Sequence, residues 1–314
     1  MSTESSQGVK TLVEEYIQDG LLRGKTEKTL NTYEDNITYS FHYLDCTPEE
    51  VGKNELRELL YHLREEKRGR NGKGLADKTI NVYYSSLNSF YDFLKYEGYV
   101  DSNPIPAFRT RYLQNLNKGD GESRQLISVS EMAGLVASVL KTRDKAIILV
   151  LAKTGIRRGE LVSIDVDDID WEKQSIKLKQ TPKRSNRTVY FDSECARVLK
   201  NWEKIRNEAD PNTQALFINR EKDRLQRNGV YNAVTKHAEK IGLHDPDADS
   251  LDEKFSPHCC RHWFTTHLRR ADMKREYVKE LRGDSHQDSM DDYNHIDHEK
   301  LRESYLTHIP QLNV

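Results

Sequence analysis

The chain is short of the residues that lock small or extracellular folds. It has four cysteines in 314 residues, Cys46, Cys195, Cys259 and Cys260. No Cys-x-x-Cys spacing occurs, and the last two are adjacent. A disulfide scaffold needs more cysteines in a shorter chain, so the count points to a reducing, cytoplasmic setting. No apolar run approaches the roughly 18 residues a bilayer span needs, so no membrane partner is expected. The opening residues lack the charged stretch followed by an apolar one that marks a secretory leader. Neither sign of charge dominates: Lys and Arg total 49, Asp and Glu 51, for a net charge of −2. That balance argues against a polyanion partner only if the charge is evenly spread, and it is not. Hydrophobic residues make up 36% and charged residues 32%, with a mean hydropathy of −0.84. Helices with broad charged faces are expected.

At roughly 100–200 residues per domain, this length predicts two domains. Residues 9–102 read as four helices. Their apolar stripes run through Leu12, Val13 and Tyr16, then Leu30, Ile37 and Phe41, then Leu56, Leu59 and Leu63, then Ile80, Leu87 and Phe90. A basic loop with Arg68, Arg70 and Lys73 separates the third stripe from the fourth. Asn103-Pro104-Ile105-Pro106 then interrupts helical text, and residues 103–124 read as a linker. A second domain is expected over 125–314. Ser128 and Glu131 have capping-box spacing, and a helix over Ala146–Lys153 stops at Gly155. Short strands are expected from Ile164, Val166 and Ile169, then Ile176 and Leu178, then Val189 and Phe191, around a turn at Pro182–Asn186. Helical text then resumes, broken by an acidic loop from His244 to Glu253. The fold class is mainly α, with a mixed α+β second domain holding a small antiparallel sheet.

Four features of the second domain carry chemistry. In Thr154-Gly155-Ile156-Arg157-Arg158-Gly159-Glu160-Leu161, Arg157 and Glu160 stand three apart and share a helix face. The run from Lys173 to Arg187 holds Lys173, Lys177, Lys179, Lys183, Arg184 and Arg187 and no acid. A basic hairpin suits a phosphate backbone, although lysines also guard ordinary sheet edges. In Ser256-Pro257-His258-Cys259-Cys260-Arg261-His262, Ser256 is an N-cap and Pro257 suits the first helical position. His258 and Arg261 then share the first turn, where free N–H groups and the helix dipole favour anions. The metal alternative, His258 with His262, lacks a second ligand pair, so no metal is assigned; the two cysteines read as core. Last come Leu281-Arg282-Gly283-Asp284-Ser285-His286 and Tyr293-Asn294-His295-Ile296. Arg282-Gly283-Asp284 is an adhesion motif in other contexts and reads here as a helix end.

In order these features are Arg, Lys, His-x-x-Arg and Tyr, and the chain resembles the tyrosine recombinases of the phage-integrase and Xer-like type. The resemblance covers nearly the whole chain, in the family's order of helical core-binding (SAM-like) domain, linker and catalytic domain. Thr154-Gly155-x-Arg157-x-x-Glu160-Leu161 is similar to the family's first-arginine box, and Pro257-His258-x-x-Arg261-His262 to its second. Lys183 matches the hairpin lysine, with Lys179 as second candidate. Tyr293-Asn294-His295-Ile296 resembles the nucleophile box, and Tyr305 is the other candidate nucleophile. The chain departs from the family where Asp284 stands nine residues before Tyr293 in place of a usual His; His286 lies two residues further on.

The resemblance implies a site-specific DNA recombinase that works through a 3′-phosphotyrosine intermediate, in integration and excision or in dimer resolution. Arg157 and Arg261 would hold the non-bridging phosphate oxygens, Lys183 would act as general acid, and His258 and Asp284 would complete the catalytic set around Tyr293. Glu160 would orient its neighbours. Arg68, Arg70, Lys73, Arg184 and Arg187 would contact DNA. No cofactor and no metal is implied. The partner would be double-stranded DNA, bound by a homotetramer on paired sites, with a C-terminal segment over Glu299–Leu306 docking either on a neighbour or on its own domain. The alternatives are a non-catalytic DNA-binding descendant of a recombinase and a type IB topoisomerase.

Overall fold

A computed structural model describes residues 3–69, 72, 74–114, 125–180, 187–248, 250–284 and 296–314. The chain divides into two compact units, Met1–Gly121 and Glu122–Val314. None of the described helices is long and apolar enough to cross a membrane.

In its described residues the first unit forms helices joined by loops, with no strand among them. It comprises α1 (Thr3–Leu22), α2 (Glu27–Leu44), α3 (Lys53–Tyr61), α4 (Asp77–Glu97) and α5 (Ile105–Tyr112). The Thr26 hydroxyl accepts the Thr29 N–H and starts α2. The apolar stripes converge as the periodicity predicts: Tyr16, Ile37, Phe41, Leu59, Ile80 and Phe90 are all buried. Tyr16 meets Phe90 edge-on at 5.6 Å between ring centroids, a favoured aromatic geometry. After α3 the chain makes one wide turn in which the Lys67 N–H reaches back to the His62 carbonyl. Arg68 follows it and is exposed. Arg70 and Lys73 lie outside the described residues.

The stretch expected to open the linker instead forms α5. Its prolines do not break it because they stand at its start: Pro104 is the N-cap and Pro106 lies in the first turn. There a backbone N–H has no helical partner to lose, and the fixed proline φ suits entry into the helix. Ile105, Phe108 and Leu113 then bury against α4, with Phe108 stacked on Tyr84 at 5.2 Å.

The second unit opens with α6 (Val129–Ser138), where the expected capping box forms. The Ser128 hydroxyl accepts the Glu131 N–H at 3.1 Å, and Glu131 accepts the Ser128 N–H at 2.7 Å. Next comes α7 (Thr142–Thr154), buried at every residue from Ala146 to Thr154. A helix apolar on all sides belongs at the centre of a core. Around it lie α8 (Arg158–Ser163), α9 (Ser193–Glu208), α10 (Arg227–Glu239), α11 (Pro257–Arg270), α12 (Arg275–Arg282) and α13 (His298–His308). Strands β1 (Ile169–Asp170), β2 (Ser175–Leu178) and β3 (Arg187–Tyr190) form one antiparallel sheet in that order. Its register pairs Ile176 with Val189 and Leu178 with Arg187.

The C-terminal segment docks on its own unit. Leu301 and Tyr305 of α13 are fully buried in the same core as α7. Beyond α13 the tail closes over a buried charge cluster. Lys153 Nζ donates to Asp192, to Glu194 and to the Pro310 carbonyl, the last two at 2.7 Å. Glu194 in turn accepts the N–H groups of Leu312, at 2.9 Å, and Asn313.

Candidate active site

The site is built where four helix ends meet one strand. Helix α7 ends at Gly155, whose φ of +62° places it in the left-handed region. A side chain there would be strained and would also strike the Phe264 ring, since a Cβ would lie 2.3 Å from it. This turn releases the chain toward Arg157, the N-cap of α8. The Arg157 N–H donates to Glu160 Oε2 at 2.7 Å, satisfying a donor that the helix start leaves open. The pair read from the sequence as sharing a helix face is therefore joined chiefly through the main chain. The two side chains approach only to 3.6 Å.

Arg261 enters from the first turns of α11, which starts at Ser256 and Pro257 as expected. Its side chain is 4% exposed. Nη1 donates to the Gly155 carbonyl at 2.6 Å and Nη2 to the Arg282 carbonyl at 2.9 Å. Arg157 Nη1 donates to that same Arg282 carbonyl at 3.3 Å. Two arginines more than a hundred residues apart thus converge on one backbone oxygen. The C-terminus of α12 carries the negative end of its dipole, which suits two cations. Beside them stands Asp284: its carboxylate is 3.3 Å from Arg261, 3.8 Å from Arg157 and 3.2 Å from Arg282.

The electrostatics are those of an anion site. Burial, and then the nearby charges of Arg157 and Arg282, push Arg261 down to about 9 from its ordinary 12.5. The positive charges are held together at a cost that an arriving anion relieves. Burial works against the charge on Glu160, but the Arg187 guanidinium and the Arg157 N–H outweigh it and hold Glu160 below its usual value. Glu160 is therefore an acceptor only.

Arg187 departs from its expected place as a DNA contact. It is buried, with its side chain 2% exposed, and its guanidinium grips Glu160 from both nitrogens, at 2.8 and 3.1 Å. A group enclosed in this way is out of reach of a duplex. The charge-rich text around β3 does not tell which sheet face Arg187 takes. Lys179, the second candidate for the hairpin lysine, pairs with Asp165 and Asp168. Tyr305, the second candidate nucleophile, is fully buried and donates to the Lys153 carbonyl at 2.8 Å. Burial raises its pKa well above the usual phenol value. Cys259 and Cys260 are buried, as core residues should be. His258 is exposed in the first turn of α11. Lys183, Arg184, His286 and Tyr293 lie outside the described residues. Among the described residues, no group of three or more His, Cys, Asp or Glu side chains is placed to hold a metal ion.

Sequence reasoning missed the Arg282 carbonyl. Arg282 sat in a triplet read as a helix end, and no side-chain pattern marks a main-chain acceptor. The one available signal was Gly283, a left-handed helix stop that exposes the carbonyls before it.

Comparison with known proteins gives the same frame. Residues 121–300 match the phage integrase family, and residues 12–101 match the phage integrase N-terminal SAM-like domain. The chain is 27% identical to the tyrosine recombinase XerC of Pelotomaculum thermopropionicum, over 92% of this chain and 94% of that protein. It is 28% identical to XerC of Vibrio cholerae, over 74% and 72%. Among solved structures, an integrase of the Tn1549 transposon in complex with a circular intermediate DNA shares the fold. Its TM-score is 0.70 at 17% identity, covering 88% of this chain and 92% of that one. A lambda integrase dimer bound to a core site gives 0.68 at 15% identity, over 92% and 98%. With residues 121–300 matched to the phage integrase family and residues 12–101 to the family's N-terminal helical domain, the chain belongs to the phage integrase family and is a site-specific tyrosine recombinase of the Xer/integrase type.

Proposed function

We propose that the protein cuts and rejoins double-stranded DNA with Tyr293 as nucleophile and the Arg157–Arg261 cluster as the seat of the scissile phosphate. The observation that supports this most is the convergence of the two guanidiniums on the Arg282 carbonyl, next to Asp284. Guanidinium forks match non-bridging phosphate oxygens and stabilise the charge that builds on them during displacement. The Tyr293 oxygen bonds to phosphorus, the P–O5′ bond breaks, and the 5′-oxygen takes a proton from Lys183. The phenol proton passes to His258, or to water where His258 bonds the phosphate instead. The phosphotyrosine keeps the bond energy, so an incoming 5′-hydroxyl reverses the step without a high-energy cofactor. Asp284 offsets the repulsion among the arginines and keeps them in register, and Glu160 fixes the Arg157 turn. Arg68, Arg70, Lys73 and Arg184 supply contacts to the DNA backbone, where salt-dependent affinity resides. The working form is a homotetramer on two DNA sites in the cytoplasm.

A nicked suicide substrate that traps the adduct tests the chemistry. Wild-type protein should give a covalent protein–DNA band, Tyr293→Phe should give none, and Tyr305→Phe should keep it. Wild-type protein that binds the site and never forms the band would overturn the reading.

A further inference from the structure

Arg187 has the most buried guanidinium around the site and no part in the chemistry above. Three segments meet on it. From β3, its Nη1 and Nη2 donate to the two carboxylate oxygens of Glu160, at 2.8 and 3.1 Å. Glu160 Oε2 is also the acceptor that fixes the Arg157 N–H. Its Nε donates to the Leu281 carbonyl at 2.9 Å, one residue before the carbonyl that both Arg157 and Arg261 hold. Gly283 packs flat on the guanidinium: a Cβ there would lie 2.5 Å from Nη1. The side chain therefore fills the space between the α8 start and the α12 end. A fork with five fixed donors can bridge two such acceptors at once, whereas a lysine ammonium cannot reproduce its geometry.

We infer that Arg187 is a positioning residue for strand cleavage, holding the Arg157 turn and the Arg282 carbonyl in the mutual placement that aims both arginines at one phosphate. The inference rests on the proposed role of that cluster. It assigns Arg187 to the rate of the chemical step and removes it from DNA affinity.

The test uses the full-length protein, a suicide DNA substrate, and the same substrate with a neutral methylphosphonate at the scissile position. Without charge on its non-bridging oxygen, the methylphosphonate gains little from well-aimed guanidiniums. In Arg187→Met, adduct formation on the phosphodiester at saturating DNA should fall about 100-fold, the scale of losing one preorganised donor. Adduct formation on the methylphosphonate should stay close to wild type, as should the Kd for DNA. Arg187→Lys should fall between the two proteins on the phosphodiester. Equal losses on both substrates would make Arg187 a general structural support and overturn the inference. So would weaker DNA binding with an unchanged rate at saturation, which would restore it as a DNA contact. If wild type forms no adduct on either substrate, the proposed function itself fails, and the role of Arg187 falls with it.

Discussion

Substituting Lys153 by Met tests how the C-terminal tail is held. Lys153 is fully buried and its ammonium is shared by Asp192, Glu194 and the Pro310 carbonyl. Methionine has similar length and fills the same space, but it leaves two buried carboxylates without their cation. Removing one partner of a buried ion pair costs about 3–5 kcal/mol. The lower end applies here, because each carboxylate keeps other donors: Asp192 accepts the Cys195 N–H at 3.0 Å, and Glu194 accepts two tail N–H groups. The sequence provides a selective probe. All three tryptophans, Trp171, Trp202 and Trp263, lie in the second unit. Tryptophan emission during urea unfolding therefore reports that unit alone. With a slope of roughly 2 kcal/mol per molar urea, a loss of about 3 kcal/mol lowers the midpoint by about 1.5 M. Truncation after His308 should destabilise wild type more than Lys153→Met, with a coupling of at least about 1 kcal/mol across the double-mutant cycle. A midpoint unchanged by the substitution, or strictly additive effects, would refute the idea that this buried charge cluster holds the tail.

Gly155→Ala combines a left-handed backbone with a clash against Phe264 and should cost about 2–4 kcal/mol, read from the same tryptophan-monitored unfolding. Tyr305→Phe removes one buried hydrogen bond to the Lys153 carbonyl and should cost about 1 kcal/mol in that assay while leaving adduct formation intact. Glu160 and Glu194 sit below their ordinary value of 4.5 in the folded chain, so the unfolded chain binds more protons below that value. Their stabilisation is full above about pH 4.5 and drains as the pH falls further. A Glu194→Gln chain should accordingly show a shallower acid limb in urea midpoints taken against pH. In Asp284→Asn the three guanidiniums lose a nearby negative charge. Added sulfate should then raise the Tm of the variant more than that of wild type, and equal shifts would remove Asp284 from the anion site.

The sequence was most legible where local rules act through side chains. Ser128 and Glu131 cap α6 and Ser256 and Pro257 start α11 as their spacing predicts. The first-unit stripes meet as the helical period requires. Proline misleads at α5 because its meaning depends on position: in the first turn of a helix it is an entry residue, in the interior a breaker. The burial of Arg187 is not legible because its four-residue strand has too few alternations to mark an inward face, and basic neighbours suggest solvent. Its burial depends on Glu160, 27 residues away, which no local window contains.

The anchoring of the arginines has one more consequence. Arg261 is fixed by the carbonyl of Gly155, Arg157 and Arg261 by that of Arg282, and Arg187 by that of Leu281. Besides the Glu160 and Asp284 carboxylates, these three receiving groups belong to the main chain, and they lie within two residues of two glycines with φ near +60°, Gly155 and Gly283. Where those carbonyls point depends on the path of the backbone, which Arg187 braces, and not on the side chains of the residues that carry them. In a saturation scan the side chain of Leu281 should tolerate other apolar residues of similar size. The two glycines should tolerate almost nothing, so part of the aim of the site is encoded at positions that carry no side chain, beside the Glu160–Arg187 pair.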